Sequence, residues 1–395
     1  MKLLINAESL SPPLTGIGNY TFNLLNALQK IPEIEQIDCF SGYSFSPVHQ
    51  TLENCRTMCA ARLDDVKQPV GTAVASQLKS RLRQSALAYR ARETLRNGAL
   101  SIGARRRSGF VYHEPSFILK AHRGPCVATI HDLSFIRHPE FHPPKRAEWL
   151  IRQLPQTLER ADAIITDSEY IRQELIQTYQ VDPSVVTAIH LGVSDIYRRL
   201  QDQDAKQTLD RYGLRYGKYV LFVGTLEPRK GVDILLDAWA SLPAAIQQAY
   251  PLVLAGAQGW KNETLQARIH HLTIRKGLKH LSFVPGHSLP ALYSGAALFA
   301  FPSLYEGFGL PLLEAMSCGA PTICTADTSM AEFSRDAACL FDRGDSVQLA
   351  ERIQYLIEHP NERHALSQKG LLRASELSWE RCAKATLDVY TSLAL

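Results

Sequence analysis

Several motifs that mark large classes of enzymes and membrane proteins are missing from this sequence. No stretch of its 395 residues approaches the run of roughly 18–20 apolar residues that a membrane-spanning helix needs. A Gly-x-Ser-x-Gly elbow, a Walker loop, a Cys-x-x-Cys pair and a zinc-ligand spacing are also lacking. Hydrolase, P-loop kinase, thiol-redox and zinc-enzyme functions therefore have no sequence signal here.

Cysteine usage and the N-terminal segment favour the cytosol. The eight cysteines lie mostly in apolar runs without paired metal-ligand spacing, so we expect reduced core thiols and no bound metal. Residues Met1–Asn6 form an apolar strand that is too short for a signal peptide. We expect a cytoplasmic protein, with peripheral attachment to the inner face of the cytoplasmic membrane as an open alternative.

Positive charge is concentrated in one segment. The chain has a net charge of +4, and residues 76–107 hold nine basic side chains against one acidic side chain, Glu93. This basic segment fits either a solvated helical insertion or a surface that binds anionic phospholipid headgroups or a lipid pyrophosphate. Aromatic residues are too sparse in it for a nucleic-acid surface, so we expect no nucleic-acid partner.

Strands and amphipathic helices alternate along a chain that is longer than one hydrophobic core usually serves. In the first half, strands are predicted at residues 2–7, 36–41, 110–113, 126–131, 163–167 and 185–190. In the second half, they are predicted at residues 219–223, 251–255, 281–284, 298–301, 322–324 and 339–341. Such continuous apolar strands indicate parallel sheets covered on both faces. We predict an α/β fold of two doubly wound, Rossmann-like domains that face a central cleft.

This pattern also predicts the domain boundaries. An N-terminal domain covers residues 1–195 and carries the basic insertion at about residues 53–108. The polar stretch 194–210 links it to a C-terminal domain at residues 196–377, and we interpret the formal metal motif Asp202-x-Asp204 in that stretch as solvated charge. A last helix within residues 378–395 closes the second domain or, as we favour, returns to the first.

In such folds ligands bind beyond the carboxyl ends of the strands. The loops at these positions are Thr15–Gly18, His131–Asp132, Gly224–Gly231, Pro285–His287 and Glu306–Gly309. In the last loop an apolar strand breaks at glycines and restarts as a helix with Pro311 in its first turn, which presents backbone N–H groups to a phosphate. Glu306 and Glu314 could then accept hydrogen bonds from sugar and ribose hydroxyls. A turn cap and an ordinary solvent-facing helix residue are the alternative.

Charged residues at two other strand ends extend this site. Arg229 and Lys230 lie in the turn after a buried strand, where two cations can stabilise a leaving diphosphate without a metal; a solvated basic turn is the alternative. His131 could bond a sugar hydroxyl or orient the acceptor, with Asp132 beside it, although most single histidines are structural. Gly16-x-Gly18 allows close backbone approach to a ligand. Its third glycine is missing, which disfavours a dehydrogenase.

Together these motifs resemble those of the retaining glycosyltransferases of family 4, which have the two-domain GT-B fold. Glu306 to Glu314 match the family's Glu-x7-Glu element, and residues 224–231 match its Gly-x-x-x-Pro-Arg-Lys-Gly turn. The similarity covers nearly the whole chain. It implies a nucleotide-sugar donor, a glycan acceptor, and no cofactor or metal. One departure is Thr225, where many members have Arg, so either Arg229 supplies that phosphate contact or the phosphate contacts are fewer.

The resemblance also implies roles for individual residues. Glu306 would contact the donor sugar, Glu314 the ribose, Arg229 and Lys230 the diphosphate, and His131 the region of the reacting carbon. Glu306, Arg229, Lys230 and His131 are thus the implied catalytic residues. The further donor-binding positions are Gly16, Gly224, Pro285, Gly307, Phe308, Gly309 and Leu310. The further acceptor-binding positions are Tyr20 and Asp132.

Residues 129–135, 223–230 and 256–260 are similar to bacterial mannosyltransferases of O-antigen and polysaccharide assembly. This likeness implies a GDP-linked mannose or deoxymannose donor, such as GDP-rhamnose. It also implies an acceptor glycan on polyprenyl pyrophosphate, a partner for the basic segment. A UDP-hexose-dependent enzyme of the same fold, a non-catalytic binding subunit and a sugar-nucleotide epimerase are the alternatives.

Overall fold

A computed structural model describes residues 1–12, 14–65, 96, 98–259, 263–275 and 277–393. Two β-sheets with helices on their faces organise these residues. The predicted α/β fold of two doubly wound domains is thereby confirmed. Residues 66–95 and 97, which include most of the basic segment, lie outside the described residues, as does residue 260.

The first sheet has seven strands in the order β3-β2-β1-β4-β5-β6-β7. They are β1 (Lys2–Asn6), β2 (Gln36–Ser41), β3 (Ser44–Pro47), β4 (Val111–Glu114), β5 (Cys126–Ile130), β6 (Ala163–Thr166) and β7 (Val186–Ala188). All are parallel to their neighbours except β3, which pairs antiparallel with β2. The sequence analysis did not predict β3, because this short, largely exposed segment has no apolar run.

The second sheet has six parallel strands in the order β10-β9-β8-β11-β12-β13. They are β8 (Val220–Val223), β9 (Leu252–Ala255), β10 (Lys279–Leu281), β11 (Leu298–Phe301), β12 (Thr322–Thr325) and β13 (Cys339–Phe341). The four central strands are buried along their whole length, which explains their continuous apolar sequences. Strand β10 is polar and begins two residues earlier than predicted.

Helices cover both sheets. Around the first sheet they are α1 (Gly16–Leu28), α2 (Val48–Asp65), α3 (Ser134–Arg137), α4 (Pro144–Arg160) and α5 (Glu169–Tyr179), with a further helical stretch at 98–105. The remaining helices are α6 (Asp202–Arg211), α7 (Val232–Ser241), α8 (Ala244–Ala249), α9 (Glu263–Arg275), α10 (Leu289–Ser294), α11 (Leu310–Ser317), α12 (Ser329–Ser334), α13 (Ser346–Glu358), α14 (Pro360–Ser375) and α15 (Trp379–Ser392).

The predicted polar linker contains a helix in its second half. Residues from Asp202 onward form α6, whose buried Ala205 and Leu209 lie on one helix face and pack towards α10. Two apolar residues one turn apart are enough to dock a helix whose other positions are polar or charged. Asp202 and Asp204 lie in the exposed first turn, where negative charge favours the helix N-terminus.

The C-terminal helix α15 packs on α1, beside the first sheet. The ring of Trp379 meets that of Tyr20 at a centroid distance of 6.0 Å, and the Tyr390 hydroxyl lies 2.6 Å from Nδ1 of His113. The segment that follows β7 lies against the start of α15: a Cβ at Gly192 would lie 2.1 Å from the Trp379 backbone nitrogen. We therefore propose that the chain crosses between the domains near Gly192 and again near Ser378.

Candidate active site

Two turns at the carboxyl ends of neighbouring strands β8 and β11 form the centre of the site. The turn Pro228–Lys230 ends at Gly231, which has a positive φ of 65°. A Cβ at Gly231 would lie 2.0 Å from the Pro302 carbonyl oxygen, so only glycine lets these turns touch. The backbone N–H of Leu304 donates to the Arg229 carbonyl at 2.9 Å. This contact fixes the two turns against each other.

Three of the predicted site residues meet between these turns. Lys230 Nζ donates to Oε1 of Glu306 at 2.5 Å, and Arg229 Nη1 donates to Oε2 at 3.2 Å. Ser303 Oγ also donates to Oε1, at 2.6 Å, while the other side of the guanidinium binds Glu227 at 2.8 Å. Glu306 is only 7% exposed. Arg229, Lys230 and Glu306 thus form a buried ion-pair cluster rather than a solvated basic turn.

The charges of this cluster stabilise one another. Burial by itself raises the pKa of the Glu306 carboxyl, but the positive charges of Lys230 and Arg229 more than offset burial and lower that pKa to about 2. Burial lowers the pKa of Lys230, and Glu306 acts in the opposite direction. Glu306 is therefore fully ionised at neutral pH, and it helps Lys230 to keep its proton.

The loop after Glu306 leads into α11. Gly309 precedes the helix with φ 104°, and Pro311 lies in the first turn, as the sequence predicts. Ser329 Oγ donates to the Glu306 carbonyl at 2.8 Å, and the Phe308 ring stacks on Phe333 at 4.5 Å. These contacts hold the loop in one conformation. Phosphate binding by the N–H groups of residues 308–310 stays a prediction.

Glu314 lies apart from the cation cluster. Its Oε2 accepts a hydrogen bond from the Tyr293 hydroxyl at 2.9 Å, and the Tyr197 hydroxyl also contacts the carboxylate. Burial raises the pKa of Glu314 to about 7. Glu314 is therefore not an ordinary solvent-facing helix residue, and its carboxylate titrates near neutral pH. A contact with ribose stays a prediction.

His131 follows β5 and is buried, with both ring nitrogens engaged. Nδ1 lies 2.8 Å from Oδ2 of Asp167, and Nε2 lies 2.9 Å from the Pro115 carbonyl oxygen. The sequence analysis did not single out Asp167, although it lies at the end of a predicted strand. Asp132 does not orient His131, because its Oδ1 accepts from the backbone N–H and the hydroxyl of Ser134 at 2.9 and 2.6 Å.

Tyr20 lies beneath His131 in this structure. Its ring meets the imidazole edge-on at a centroid distance of 4.8 Å, and the side chain is 2% exposed. The Tyr20 hydroxyl pairs with Thr129 Oγ1 at 3.1 Å. In this conformation Tyr20 therefore supports the imidazole, and its predicted contact with the acceptor remains a prediction.

Loops of the two sheets meet directly beside the cluster, in what we call the seam. Ser168 Oγ, at the start of α5, donates to the Gly307 carbonyl at 2.9 Å. A Cβ at Gly307 would lie 2.0 Å from the His131 carbonyl oxygen. Glu332 accepts from the first two N–H groups of α5 at 2.9 and 2.6 Å and pairs with His190 at 2.6 Å. The sequence analysis missed the seam.

Three further predicted donor-binding residues lie in segments that follow strands, and none of them has a described contact with Arg229, Lys230 or Glu306. Gly16 begins α1 and is exposed, Gly224 follows β8 with φ 156°, and Pro285 precedes a short 3-10 turn after β10. A Cβ at Gly256 would lie 1.9 Å from the Gly224 carbonyl oxygen, so this turn is tightly packed. Their donor contacts stay predictions.

Two cations of the basic segment pair with acidic side chains of the first domain. Arg107 Nε donates to Asp38 Oδ2 at 2.6 Å, and Arg96 lies 3.3 Å from Glu8.

Within the described residues, no group of three or more His, Cys, Asp or Glu side chains is arranged to hold a metal ion. In the same part of the chain, no helix combines the length and apolarity needed to cross a membrane.

Comparison with known proteins finds relatives over the whole chain. Residues 55–195 match the model of Glycosyltransferase Family 4, and residues 213–373 match that of Glycosyl transferases group 1. The O-antigen chain mannosyltransferase B of Escherichia coli is 32% identical over 393 residues, which covers 100% of both chains. The serotype-specific mannosyltransferase WbdA of Escherichia coli is 32% identical over 278 residues, 68% of this chain and 33% of that protein.

Solved structures support the same architecture. The crystal structure of HepE from Anabaena, in complex with UDP and glucose, superposes with a TM-score of 0.69. The two chains are 18% identical, and the match covers 99% of this chain and 100% of that one. At this identity the likeness concerns the fold alone, which is the two-domain GT-B architecture.

Proposed function

We propose that this chain, which belongs to the family 4 glycosyltransferases, transfers mannose or a deoxymannose from a GDP-linked donor to a growing glycan, with retention of configuration. The observation that carries the proposal is the buried cluster of Arg229, Lys230 and Glu306 beside the N-terminus of α11. The whole-chain similarity to O-antigen chain mannosyltransferase B supports mannose as the sugar and O-antigen assembly as the context.

The cluster suits the leaving group of this reaction. Negative charge grows on the diphosphate as its bond to the sugar breaks, and Arg229 and Lys230 are fixed cations in a water-poor site where such charge is stabilised strongly. These side chains supply the positive charge themselves, so we propose a reaction that does not require a metal ion. The ionised Glu306 can accept hydrogen bonds from hydroxyls of the donor sugar.

Transfer on one face of the sugar accounts for retention. In the proposed step, the bond between the sugar and the diphosphate breaks as the acceptor hydroxyl forms the new bond from the same face. The departing phosphate oxygen takes the proton of that hydroxyl. Neither Glu306 nor Glu314 acts as a nucleophile in this scheme, and catalysis comes from positioning and from the two cations.

The acceptor is proposed to lie on the side of the first domain. His131 and Asp132 follow β5 and contact the Glu306–Gly309 loop across the seam. A glycan linked to polyprenyl pyrophosphate fits the concentration of basic residues at 76–107, and it would place the protein at the inner face of the cytoplasmic membrane.

Nucleotide preference tests the donor part of the proposal. Thermal midpoints are measured with GDP, UDP and ADP at equal concentrations, since a ligand that binds the native state raises the midpoint. We expect the largest increase with GDP. A larger increase with UDP would overturn the assignment of a GDP-linked donor while leaving glycosyl transfer intact.

Turnover tests the cluster. Purified protein is given GDP-mannose and a mannosylated polyprenyl pyrophosphate analogue, and GDP release and the product anomer are followed. Lys230→Ala should lower turnover about 100- to 1,000-fold, as loss of a transition-state hydrogen-bond donor does. The matched control is Lys206→Ala, which removes an exposed lysine that pairs only with Asp210 on α6. Near-normal transfer by the Lys230 variant would refute the proposed role of the cluster in catalysis.

A further inference from the structure

We propose that Asp167 is the positioning residue for His131: it holds the imidazole so that both ring nitrogens donate, and His131 stays a cation that does not take the proton of the acceptor hydroxyl. This inference rests on the proposed glycosyl transfer, because it assigns a role within that reaction. It concerns one buried pair, at the ends of the neighbouring strands β5 and β6.

The geometry of the ring carries the inference. Nε2 faces the Pro115 carbonyl oxygen at 2.9 Å, and a carbonyl can only accept, so Nε2 must carry a proton. Nδ1 faces Oδ2 of Asp167 at 2.8 Å, and an ionised carboxylate also only accepts. A ring that donates from both nitrogens is an imidazolium. Neither nitrogen then has a lone pair for a further proton.

The shared proton belongs to the imidazole rather than to Asp167. The acid dissociation constant of a carboxylic acid is ordinarily between two and three orders of magnitude larger than that of an imidazolium. This difference must be overcome to move the proton from the imidazole to Asp167. Burial lowers the pKa of His131, but the attraction of Asp167 and the Pro115 carbonyl outweigh burial and leave that pKa raised. Burial raises the pKa of Asp167, and His131 opposes that change.

Among the described residues, no other titratable group is hydrogen-bonded to the pair. The titratable groups that face it from the surrounding elements are Tyr20, His113, Asp132, His190 and Cys382. Burial keeps three of them uncharged at neutral pH, because it raises the pKa of Tyr20 and Cys382 and lowers that of His113 to about 3. Asp132 is bound to Ser134, and His190 is paired with Glu332.

This arrangement has a consequence for the reaction. A histidine beside the reacting centre is the usual candidate for a general base. Here the ring is already fully protonated, so it contributes position and positive charge. The proton of the acceptor hydroxyl must then leave with the diphosphate, as the same-face mechanism requires. Asp167 acts only through His131 and needs no contact with either substrate.

Protonation is read first in the free protein, without any substrate. The full-length chain is labelled with ¹⁵N-histidine, and the His131 signals are identified by their absence in His131→Gln. We expect both ring nitrogens of His131 to show protonated shifts at pH 7.5. An unprotonated Nδ1 or Nε2 in the wild-type protein would overturn the inference. This measurement is independent of any transferase activity, so it separates failure of the inference from failure of the proposed function.

The pH profile of turnover gives the second readout. Asp167→Asn keeps the shape of the side chain but removes the charge, so the pKa of His131 should fall in the variant. At pH 8 we expect turnover at least tenfold below wild type with the KM for GDP-mannose nearly unchanged. As the pH is lowered to 6 the imidazolium re-forms, and turnover relative to wild type at the same pH should recover. Asp210→Asn, at an exposed position on α6, is the matched control and should follow wild type throughout.

Each outcome decides the point. A variant that is merely misfolded gains nothing at low pH, so a uniform loss across the range would overturn the charge role of Asp167. Wild-type turnover in Asp167→Asn at all pH values would overturn it as well. Recovery at pH 6, together with a lowered pKa of His131 in the labelled variant, would establish it.

Discussion

Replacing Glu306 with Gln should make the binding of GDP depend on pH. In this structure the Glu306 carboxylate is the anion next to Lys230, at 2.5 Å; Glu306 is buried, and the Lys230 side chain is 13% exposed. Burial and the neighbouring Arg229 lower the pKa of Lys230, while Glu306 raises it. Removing the carboxylate leaves Glu227, a weaker influence, to oppose burial and Arg229, which drive the proton off. The ammonium of the variant is expected to lose its proton in the free protein as the pH rises above neutrality.

The size of the effect follows from the geometry. Two unit charges about 4 Å apart at an effective dielectric constant of about 20 attract each other by ~4 kcal/mol. That energy corresponds to roughly a thousandfold change in the proton-binding constant of Lys230. A bound diphosphate restores a negative partner, so the lysine takes up its proton again as GDP binds. In the coupled pH range, affinity should then change by up to about tenfold for each pH step of one.

Calorimetry measures both the affinity for GDP and the number of protons taken up as GDP binds. GDP is titrated into wild-type protein and into Glu306→Gln at pH values from 6 to 9, in buffers with different heats of ionisation. We expect the variant to take up close to one proton per GDP near pH 8.5 and to bind GDP more weakly as the pH rises. Wild-type protein should take up far fewer protons per GDP, because Glu306 already keeps Lys230 charged. Transfer by the variant should be depressed at every pH, since the sugar contact is lost.

Glu227→Gln is the matched control. It removes the carboxylate that binds Arg229 at 2.8 Å, but a guanidinium stays protonated throughout this range. Glu227 acts only weakly on Lys230, so the control should show far less added proton uptake than Glu306→Gln. If Glu306→Gln behaves like Glu227→Gln, with constant affinity from pH 6 to 9, then Glu306 does not maintain the charge of Lys230 and the reasoning fails.

Two other substitutions test neighbouring parts of the site. Gly307→Ala would place a Cβ 2.0 Å from the His131 carbonyl oxygen, so the seam must open; turnover should fall about 100-fold, and wild-type turnover would contradict this. Burial raises the pKa of Glu314 to about 7, so its ionisation destabilises the fold as the pH rises from about 4.5 to 7. Glu314→Gln should therefore raise the thermal midpoint at pH 8 but not at pH 5, while weakening donor binding, and an equal change at both pH values would refute the assignment.

The residues of the cation cluster were accessible from the sequence because each lies in a turn that follows a predicted strand. Arg229 and Lys230 follow β8 and Glu306 follows β11, and these two strands are neighbours in the sheet. Parallel strands bring their carboxyl ends to one edge, so residues that follow adjacent strands meet there. The sequence predicts which residues leave the strands at that edge. It did not predict that Glu306 would pair with both cations, because this depends on the rotamers and burial of all three.

Asp167 and the seam were missed for different physical reasons. Asp167 follows β6, next to β5, so the strand order alone would have brought it to His131, and that order was not predicted. The contact of Glu332 with the start of α5 joins two sheets across about 160 residues of sequence. It exists only once both sheets are folded and docked. No periodicity within either segment reports such docking.

The Glu306–Gly309 loop belongs to both the cation cluster and the seam, and this sharing has a functional consequence. The side chain of Glu306 holds Arg229 and Lys230, while the next residue, Gly307, lies against the His131 carbonyl and accepts from Ser168. Two neighbouring residues of one short loop cannot move independently. A donor that draws Arg229 and Lys230 towards its phosphates is therefore expected to shift the loop contact that joins the domains. Binding linkage is reciprocal. If the donor changes the affinity of the first domain for a ligand at His131, that ligand must change the affinity for the donor by the same factor. We therefore expect the proposed donor and acceptor sites to be coupled through the backbone contacts of this loop.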